Sequence, residues 1–210
     1  MTDINYTLTF FSDWHCGSGL SGGSESDALV KKTREGLPYV PGKTVKGLLK
    51  EAAMDLFEGD PDYNDFIETC FGTRQDNQQK KSAPEVFEKP ECQFFYSNIE
   101  LASLLAQYLI RVPAKNEKKP TEKEKLFRKI QTTSIDEKTG VAKNKTLRTI
   151  EVTIPITIVG KISNNLSEDH KYNKKIKDCL RMIKRLGVNR NRGLGRCQFN
   201  IIEPEKGGLK

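Results

Sequence analysis

The sequence predicts a single α+β domain, and three observations support this fold class. Residues 4–11 and 149–162 alternate apolar with polar side chains, which is the period of a half-buried strand. Residues 44–56 and 174–186 repeat apolar side chains at three- and four-residue steps, which is the period of an amphipathic helix. The length of 210 residues suits one domain, spanning residues 1–210, with room for insertions.

The composition excludes several classes of protein. The chain has 35 Lys+Arg against 28 Asp+Glu, a net charge of +7, and 36% apolar residues, which is enough for a core and unlike collagen, mucins or disordered chains. No apolar run approaches the roughly 18 residues that span a bilayer, and residues 1–5 lack the pattern of a signal peptide. We therefore expect a cytoplasmic protein without membrane contact.

The cysteines and histidines argue against two kinds of site. The five cysteines are odd in number and form no Cys-x-x-Cys, so neither a disulfide framework nor a zinc site is expected. His15 and His170, the only histidines, have no second histidine or cysteine at ligand spacing. A histidine-built metalloenzyme and a Ser-His-Asp hydrolase are therefore disfavoured.

The first elements follow the strand at residues 4–11. Residues 12–27 carry four glycines and five serines, too many turn formers for a regular element, which indicates either an ordered binding loop or a flexible one. After a Pro-Gly turn, Thr44 is predicted to cap the helix over residues 44–56. A second short helix is predicted over residues 62–70, ending at Gly72.

The middle of the chain predicts further elements and one projection. Residues 73–90 are polar and punctuated by proline, which indicates a mobile loop. Residues 93–101 predict a strand, and residues 102–111 are apolar enough for a buried helix. Residues 131–148 place an Asp-Glu-Lys-Thr-Gly turn between extended flanks, the chemistry of a projecting β-hairpin.

The order of elements predicts the topology. After the long strand at 149–162 and the helix at 174–186, a Gly/Arg loop leads to a final strand at 197–202. The resulting order, β-α-(insert)-β-α-(hairpin)-β-α-β, is similar to a ferredoxin-like or RRM-type sheet with insertions. Sheets of this type often bind RNA, although a fold alone proves no function.

The positive charge is concentrated near the C-terminus. Residues 181–196 contain six basic residues and no acidic one, which gives +6 of the total +7. One interpretation is a charged helix end, with Gly187 as the stop, but this explains nothing after Gly187. Downstream, Arg190, Arg192 and Arg196 alternate with asparagine and glycine, a composition that suits phosphate oxygens.

Three lysines in the first predicted helix allow two interpretations. Lys43, Lys46 and Lys50 lie toward its polar side, near the N-terminal half, where positive charge opposes the helix dipole. Either an anionic partner compensates them or they are simply solvated.

Two segments resemble a known family. Residues 36–53 (GLPYVPGKTVKGLLKEAA) are similar to the G-x-P-Y-I-P-G-S-S-L-K-G signature of CRISPR-associated RAMP proteins, and residues 186–197 (LGVNRNRGLGRC) resemble their C-terminal glycine-rich loop. Segments between them fall in the family's order, so the likeness covers nearly the whole chain. Length and plan look most like the backbone subunit of type III effector complexes, of the Csm type within the Cas-seven group.

The resemblance implies a function and partners. Such a subunit binds the guide RNA (crRNA), polymerises along it with further copies or other RAMP subunits, assembles with the type III large and small subunits, and cuts bound target RNA. Two other readings stay open. One is a structural RAMP subunit, such as an end cap or silent backbone copy, and the other is a guide-processing endoribonuclease with His15 as general base.

The resemblance also implies site residues. Asp27 matches the aspartate that the subfamily needs to cut target RNA. The inserted loops would be residues 12–35 and 73–90, and the thumb, which wedges between guide and target, would lie within residues 113–148. The expected thumb residues are Ile135, Thr139, Val141 and Lys143. The expected RNA-binding residues are His15, Gly17, Ser18, Lys43, Lys46, Lys50, Arg190, Arg192, Gly193, Gly195 and Arg196.

The chemistry of the candidate site has alternatives. Cleavage through the RNA 2′-hydroxyl needs in-line geometry and a proton acceptor, and Asp27 can accept that proton or hold a weakly bound hydrated Mg²⁺ or another divalent cation. Asp27 can also simply end a glycine-rich turn. Asp13 is expected to cap the strand end. His15 can be packed beside Trp14, contact a base or phosphate, or act as an acid or base, and the first two roles are favoured.

Overall fold

The computed structural model describes residues 1–23, 26–72, 92–112 and 120–203. The predicted loop over 73–90 lies outside the described residues. The helices and strands, in chain order, are β1 (Thr2–Phe10), α1 (Gly42–Phe57), α2 (Tyr63–Phe71), β2 (Phe94–Tyr96), α3 (Ser103–Arg111), β3 (Phe127–Thr132), β4 (Arg148–Thr153), β5 (Thr157–Asn164), α4 (Lys171–Met182) and β6 (Cys197–Ile202). Within these ranges, no helix has the length and apolar character needed to cross a membrane.

Four strands form the main sheet, in the order β2-β5-β1-β6 with every neighbouring pair antiparallel. Taken in sequence, these strands and the helices between them give β1-α1-β2-β5-α4-β6. That connectivity and strand order are those of a ferredoxin-like sheet, so the predicted α+β fold class is confirmed.

One face of this sheet carries the core. Along β1, Ile4, Tyr6, Leu8 and Phe10 are buried, whereas the alternate residues are polar and partly or fully exposed. The apolar stripes of α1 and α4 pack on the buried face and exclude water from it. Their buried residues include Val45, Leu49, Ile176 and Leu180.

A second, two-stranded sheet stands beside the first. β3 and β4 pair antiparallel from Phe127↔Thr153 to Thr132↔Arg148. Trp14, just beyond β1, pairs with Thr153 through two backbone hydrogen bonds, of 3.0 and 2.8 Å. The root of the β3–β4 pair is therefore attached to the end of β1.

The long strand predicted over 149–162 is wrong as a single element. It consists of β4 and β5, which belong to different sheets, and the break contains Pro155. Proline has no N–H to donate to a ladder, which explains why pairing stops there and the chain changes sheet. The strand predicted over 93–101 is also shorter, because after β2 only isolated bridges form, at Ile99 and Glu100.

The helices correct three predictions. Thr44 does not cap α1, since the helix begins at Gly42 and the Thr44 N–H already bonds the Pro41 carbonyl (2.9 Å) in the first turn. The helix predicted over 174–186 runs instead from Lys171 to Met182 and is capped by the His170 side chain. Gly187 therefore does not end it.

The helix predicted to be buried over 102–111 forms as α3, but it is largely exposed. Leu109 is its one buried residue. Leu104 and Leu105 are adjacent in the sequence and point about 100° apart around a helix, so one buried face cannot cover all of its apolar residues. The large apolar side chains left exposed are Leu104, Leu105, Tyr108 and Ile110.

Candidate nucleic-acid interface

The Gly/Arg loop, residues 184–196, packs directly on the segment that follows β1. Val188 N–H donates to the His15 carbonyl (2.9 Å), and Gly195 N–H donates to the Asp13 carbonyl (2.7 Å). A β-carbon on Gly195 would lie 1.9 Å from the Leu186 carbonyl oxygen, so only glycine allows this approach. The Gly195 amide, predicted to face phosphate, is therefore already used inside the protein.

The arginines of this loop keep their side chains at the surface. Arg190 and Arg192 lie in a short 3₁₀ turn, with Asn189 and Gly193 at positive φ on either side. Arg190 reaches Glu51 of α1 (3.3 Å). In the described part of the chain, no carboxylate pairs with Arg192 or Arg196, so these two guanidinium groups present uncompensated charge.

His15 is buried, with 2% of its surface exposed. Its Nδ1 lies 2.6 Å from the Glu151 carbonyl oxygen, and because a carbonyl oxygen can only accept, Nδ1 carries the proton of this hydrogen bond. Its Nε2 side faces Gly17, where a β-carbon would approach to 3.1 Å. The packed interpretation of His15 agrees with this burial, and contact with RNA stays a prediction for His15 and for its neighbours Gly17 and Ser18.

Asp27 lies at the start of β4 with its side chain exposed. Its Oδ2 accepts a hydrogen bond from the Thr149 N–H (2.7 Å), and its own N–H donates to the Thr149 carbonyl (2.7 Å). Ala28, the next residue, extends this pairing with β4, because its carbonyl accepts a hydrogen bond from the Glu151 N–H (3.0 Å). The carboxylate is thus held at the surface, at the Thr132–Arg148 end of the β3–β4 pair, where the segment between the two strands begins and ends.

Glu151 is a residue of this site that sequence reasoning missed. Its Oε2 accepts the Val30 N–H (3.0 Å), and its Oε1 forms an ion pair with Lys32 (2.7 Å). Together with the carbonyl that His15 contacts, these bonds clamp the strand-like segment after Asp27 onto β4. No local signal identifies the contact, because 121 residues separate Glu151 from Val30.

Asp13 was also assigned the wrong role. It does not cap the strand end; instead its buried carboxylate forms an ion pair with Arg128 of β3. Its Oδ1 is buried without a hydrogen-bond partner among the described residues. This pair gives the β3–β4 sheet a second attachment to the end of β1, and removal of Arg128 would leave the buried carboxylate uncompensated.

The lysines of α1 do not lie beside the Gly/Arg loop. Lys46 points toward β2, where its Nζ lies 3.7 Å from Cys92 Sγ and 5.8 Å from the centre of the Tyr96 ring. Lys43 and Lys50 lie three and four residues away, on the same side of the helix. Glu51, not a lysine, faces the loop. The structure therefore places the lysines of α1 and the arginines of the Gly/Arg loop, both predicted to bind RNA, on different sides of α1.

The segment between β3 and β4 carries the four predicted thumb residues. Ile135 pairs with Ala142 across a turn in which Asp136 Oδ1 accepts the N–H groups of Lys138 (3.0 Å) and Thr139 (3.1 Å). The hydrogen bonds from the Thr139 and Lys138 backbone lower the pKa of Asp136. Lys143 N–H closes the pair by donating to the Ser134 carbonyl (2.8 Å), while Ile135 and Val141 stay exposed. Their function as a thumb stays a prediction.

Comparisons with known proteins agree with this architecture. A chain of Type III-B Cmr-beta bound to cognate target RNA, solved by cryo-EM, is similar over 96% of this chain and 97% of its own, with a TM-score of 0.65 and 12% identity. A chain of Type III-B Cmr-beta in the apo state is similar over the same shares, with a TM-score of 0.64 and 13% identity. Likeness at this identity shows a shared fold. No curated protein matches the sequence. The model of the RAMP superfamily matches residues 7–198, nearly the whole length, and the chain therefore belongs to the RAMP superfamily.

Proposed function

We propose that this protein is a crRNA-binding backbone subunit of a type III CRISPR effector complex and that it cuts the target RNA paired with the guide. Superfamily membership supports the first part, as does the fold shared with a chain of Type III-B Cmr-beta bound to cognate target RNA. The sequence motifs resemble the Csm type, whereas these structures are of the Cmr type, so the proposal covers type III as a whole. The partners would be crRNA, target RNA, further copies or other RAMP subunits, and the type III large and small subunits.

The Gly/Arg loop supports binding of a guide RNA that does not depend on its base sequence. Arg192 and Arg196 present exposed charge with no internal counter-charge in the described residues. Guanidinium groups bind phosphate oxygens in pairs, and such contacts position RNA without selecting bases. This is what a guide-binding subunit requires, because base pairing carries the specificity.

The position of Asp27 is the observation that carries the cleavage proposal. Its carboxylate is exposed, and the Thr149 N–H holds it beside the first residues of β4. A thumb built from the segment between β3 and β4 would splay a target nucleotide next to the Thr132–Arg148 end of the β3–β4 pair, where Asp27 lies. Asp27 would then lie beside the phosphate whose geometry the thumb distorts.

The chemistry follows from that placement. The 2′-oxygen of the splayed nucleotide attacks the adjacent phosphorus, its proton passes to Asp27, and the bond from phosphorus to the 5′-oxygen breaks. The leaving 5′-oxygen takes a proton from water and the resulting hydroxide is neutralised by the proton on Asp27, which gives a cyclic phosphate and a free 5′-hydroxyl. Holding the 2′-oxygen in line with the leaving oxygen supplies much of the acceleration, because a flexible strand rarely adopts this geometry.

A divalent cation fits this site only as a weakly held, hydrated ion. Asp27 offers one carboxylate with Oδ2 already bonded to Thr149, and the described residues contain no cluster of three or more metal-ligating side chains. Mg²⁺ commonly binds through one or two carboxylates together with substrate phosphates, and there it would stabilise charge on the phosphate. Asp27 would be the protein group that holds it.

Reconstitution tests both parts of the proposal. RNA extracted from the purified complex, sized and sequenced, is expected to be crRNA, and the complex is expected to cut a complementary target at regular intervals. A complex that carries crRNA but gives the same cleavage products with and without this subunit would instead support the structural, non-cutting reading. A protein that retains no RNA at all would contradict the whole proposal.

A further inference from the structure

Phe11 and Arg196 continue the ladder between β1 and β6 by one pair. The last paired residues of those strands are Phe10 and Cys197, and beyond them Phe11 N–H donates to the Arg196 carbonyl (2.8 Å). Side chains alternate between the two faces of a sheet. Since Phe10 points into the core, Phe11 and Arg196 lie on the opposite face, with Thr9 and Gln198.

The exposure of Phe11 is unusual for its position. Phe10 is 2% exposed and stacks on Trp14 with ring centres 4.4 Å apart, whereas Phe11 is 52% exposed. On the same face, Gln198 is exposed and Thr9 is partly exposed, so polar side chains flank the ring. About half of this aromatic side chain is therefore open to solvent and available to a partner outside the described chain.

Arg196 makes this aromatic surface chemically selective. Its guanidinium lies over the Phe11 ring, 5.9 Å from the centre. The Arg196 N–H also donates to Ser12 Oγ (3.0 Å), so the backbones of both residues are held in place. A rigid ring beside a guanidinium favours a partner that is flat, aromatic and attached to negative charge. A nucleotide has all three properties.

We infer that Phe11 and Arg196 form a stacking site for one RNA base, at the edge where the Gly/Arg loop meets the open face of the sheet. Phe11 supplies the ring against which the base lies, and Arg196 covers the stack and contacts an adjacent phosphate. Every base has a flat π face, so this site binds RNA without sequence preference. The inference rests on the proposed RNA-binding function and adds to it a base contact that phosphate-binding arginines do not provide.

Substitution of Phe11 tests the contact with an RNA base separately from contacts with the charged phosphates. Affinity of the full-length protein is measured by fluorescence anisotropy with labelled single-stranded RNA and with an abasic strand of the same length. Phe11→Leu is expected to weaken binding of the base-containing RNA roughly 5- to 150-fold, the range for loss of one stacked base. Its salt dependence should stay unchanged, because no phosphate contact is lost. Affinity for the abasic strand should also stay unchanged, and Phe11→Trp should retain binding.

Phe95→Leu is the matched control. Phe95 is 53% exposed, but it lies on β2, at the opposite edge of the sheet from β6. This variant should bind RNA like the original protein. Thermal unfolding of each variant shows that the fold is retained.

Three results would overturn the inference. They are a Phe11→Leu variant with unchanged RNA affinity, one that loses affinity equally for the base-containing and abasic strands, and one with a lowered salt dependence. In each case the RNA-binding function itself would stand. By contrast, an original protein that binds neither strand would refute the proposed function, and the stacking site with it.

Discussion

Asp27 and the backbone of Thr149 are joined by two hydrogen bonds of 2.7 Å, one from the Thr149 N–H to Oδ2 of the Asp27 carboxylate and one from the Asp27 N–H to the Thr149 carbonyl. The two residues are 122 positions apart in the sequence. The bonds set the candidate catalytic group at the first residues of β4. The position of this side chain and its chemistry as a proton acceptor can be tested separately. An amide keeps the hydrogen bond from the Thr149 N–H but does not act as a base.

Asp27→Asn keeps an oxygen that accepts the Thr149 N–H but removes the proton acceptor. We therefore expect the reconstituted complex to cut target RNA about 10²- to 10⁴-fold more slowly, which is the usual contribution of a general base. Guide binding and unfolding temperature should not change. Asp178→Asn, on α4, is the control and should cut normally, because its partly exposed carboxylate pairs with Arg181 and lies outside the candidate site. Undiminished cleavage by Asp27→Asn would refute the assigned role.

Glu151→Ala should loosen the segment that follows Asp27. The change leaves the Val30 N–H without its acceptor and Lys32 without its ion pair. Losing the acceptor of a buried donor costs on the order of 1–3 kcal/mol of unfolding free energy. Urea denaturation measures this loss, and hydrogen exchange should be faster at the Val30 amide. Glu58→Ala, on the exposed end of α1, should change neither. Equal exchange at Val30 in both variants would contradict the clamp.

Gly195→Ala and Gly193→Ala should differ sharply in stability. Both glycines have positive φ, of 69° and 92°, which costs any other L-residue about 1–2 kcal/mol. Only at Gly195 does a β-carbon also meet backbone, 1.9 Å from the Leu186 carbonyl oxygen. Gly195→Ala should therefore lower the unfolding free energy by at least about 3 kcal/mol, since the loop must move. Similar losses for the two variants, measured by urea denaturation, would mean that the loop does not pack as described.

Arg192→Gln should weaken RNA binding through charge alone. Its guanidinium is exposed and unpaired in the described residues, so a bound phosphate is its expected partner. Losing one phosphate contact should lower the slope of log affinity against log salt by about one. Lys174→Gln, at an exposed position of α4, removes the same charge away from the loop and should leave the slope unchanged. An unaltered slope for Arg192→Gln would place the RNA elsewhere.

Local sequence patterns predicted an element correctly where the tertiary packing around it agrees with the pattern. The alternation at residues 4–11 gave β1, and the final strand at 197–202 forms at those residues as β6. Local sequence features gave wrong predictions where tertiary packing determines the burial or the extent of an element. The apolar run at 102–111 suggested burial, but α3 has few elements against it and remains exposed. Likewise, the alternation over 149–162 continues through Pro155, although the chain changes sheets there.

The amino-acid sequence by itself determined most of the strands and helices and the concentration of charge at residues 181–196, because periodicity and charge are local properties. Asp27 became a candidate through the resemblance to the RAMP family. Only the tertiary structure decided which of these groups meet. It pairs Asp27 with Thr149, binds Val30 to Glu151 and places Phe11 beside Arg196, contacts between residues that are more than 100 positions apart. No local pattern encodes such contacts, since they depend on how the two sheets join at the end of β1.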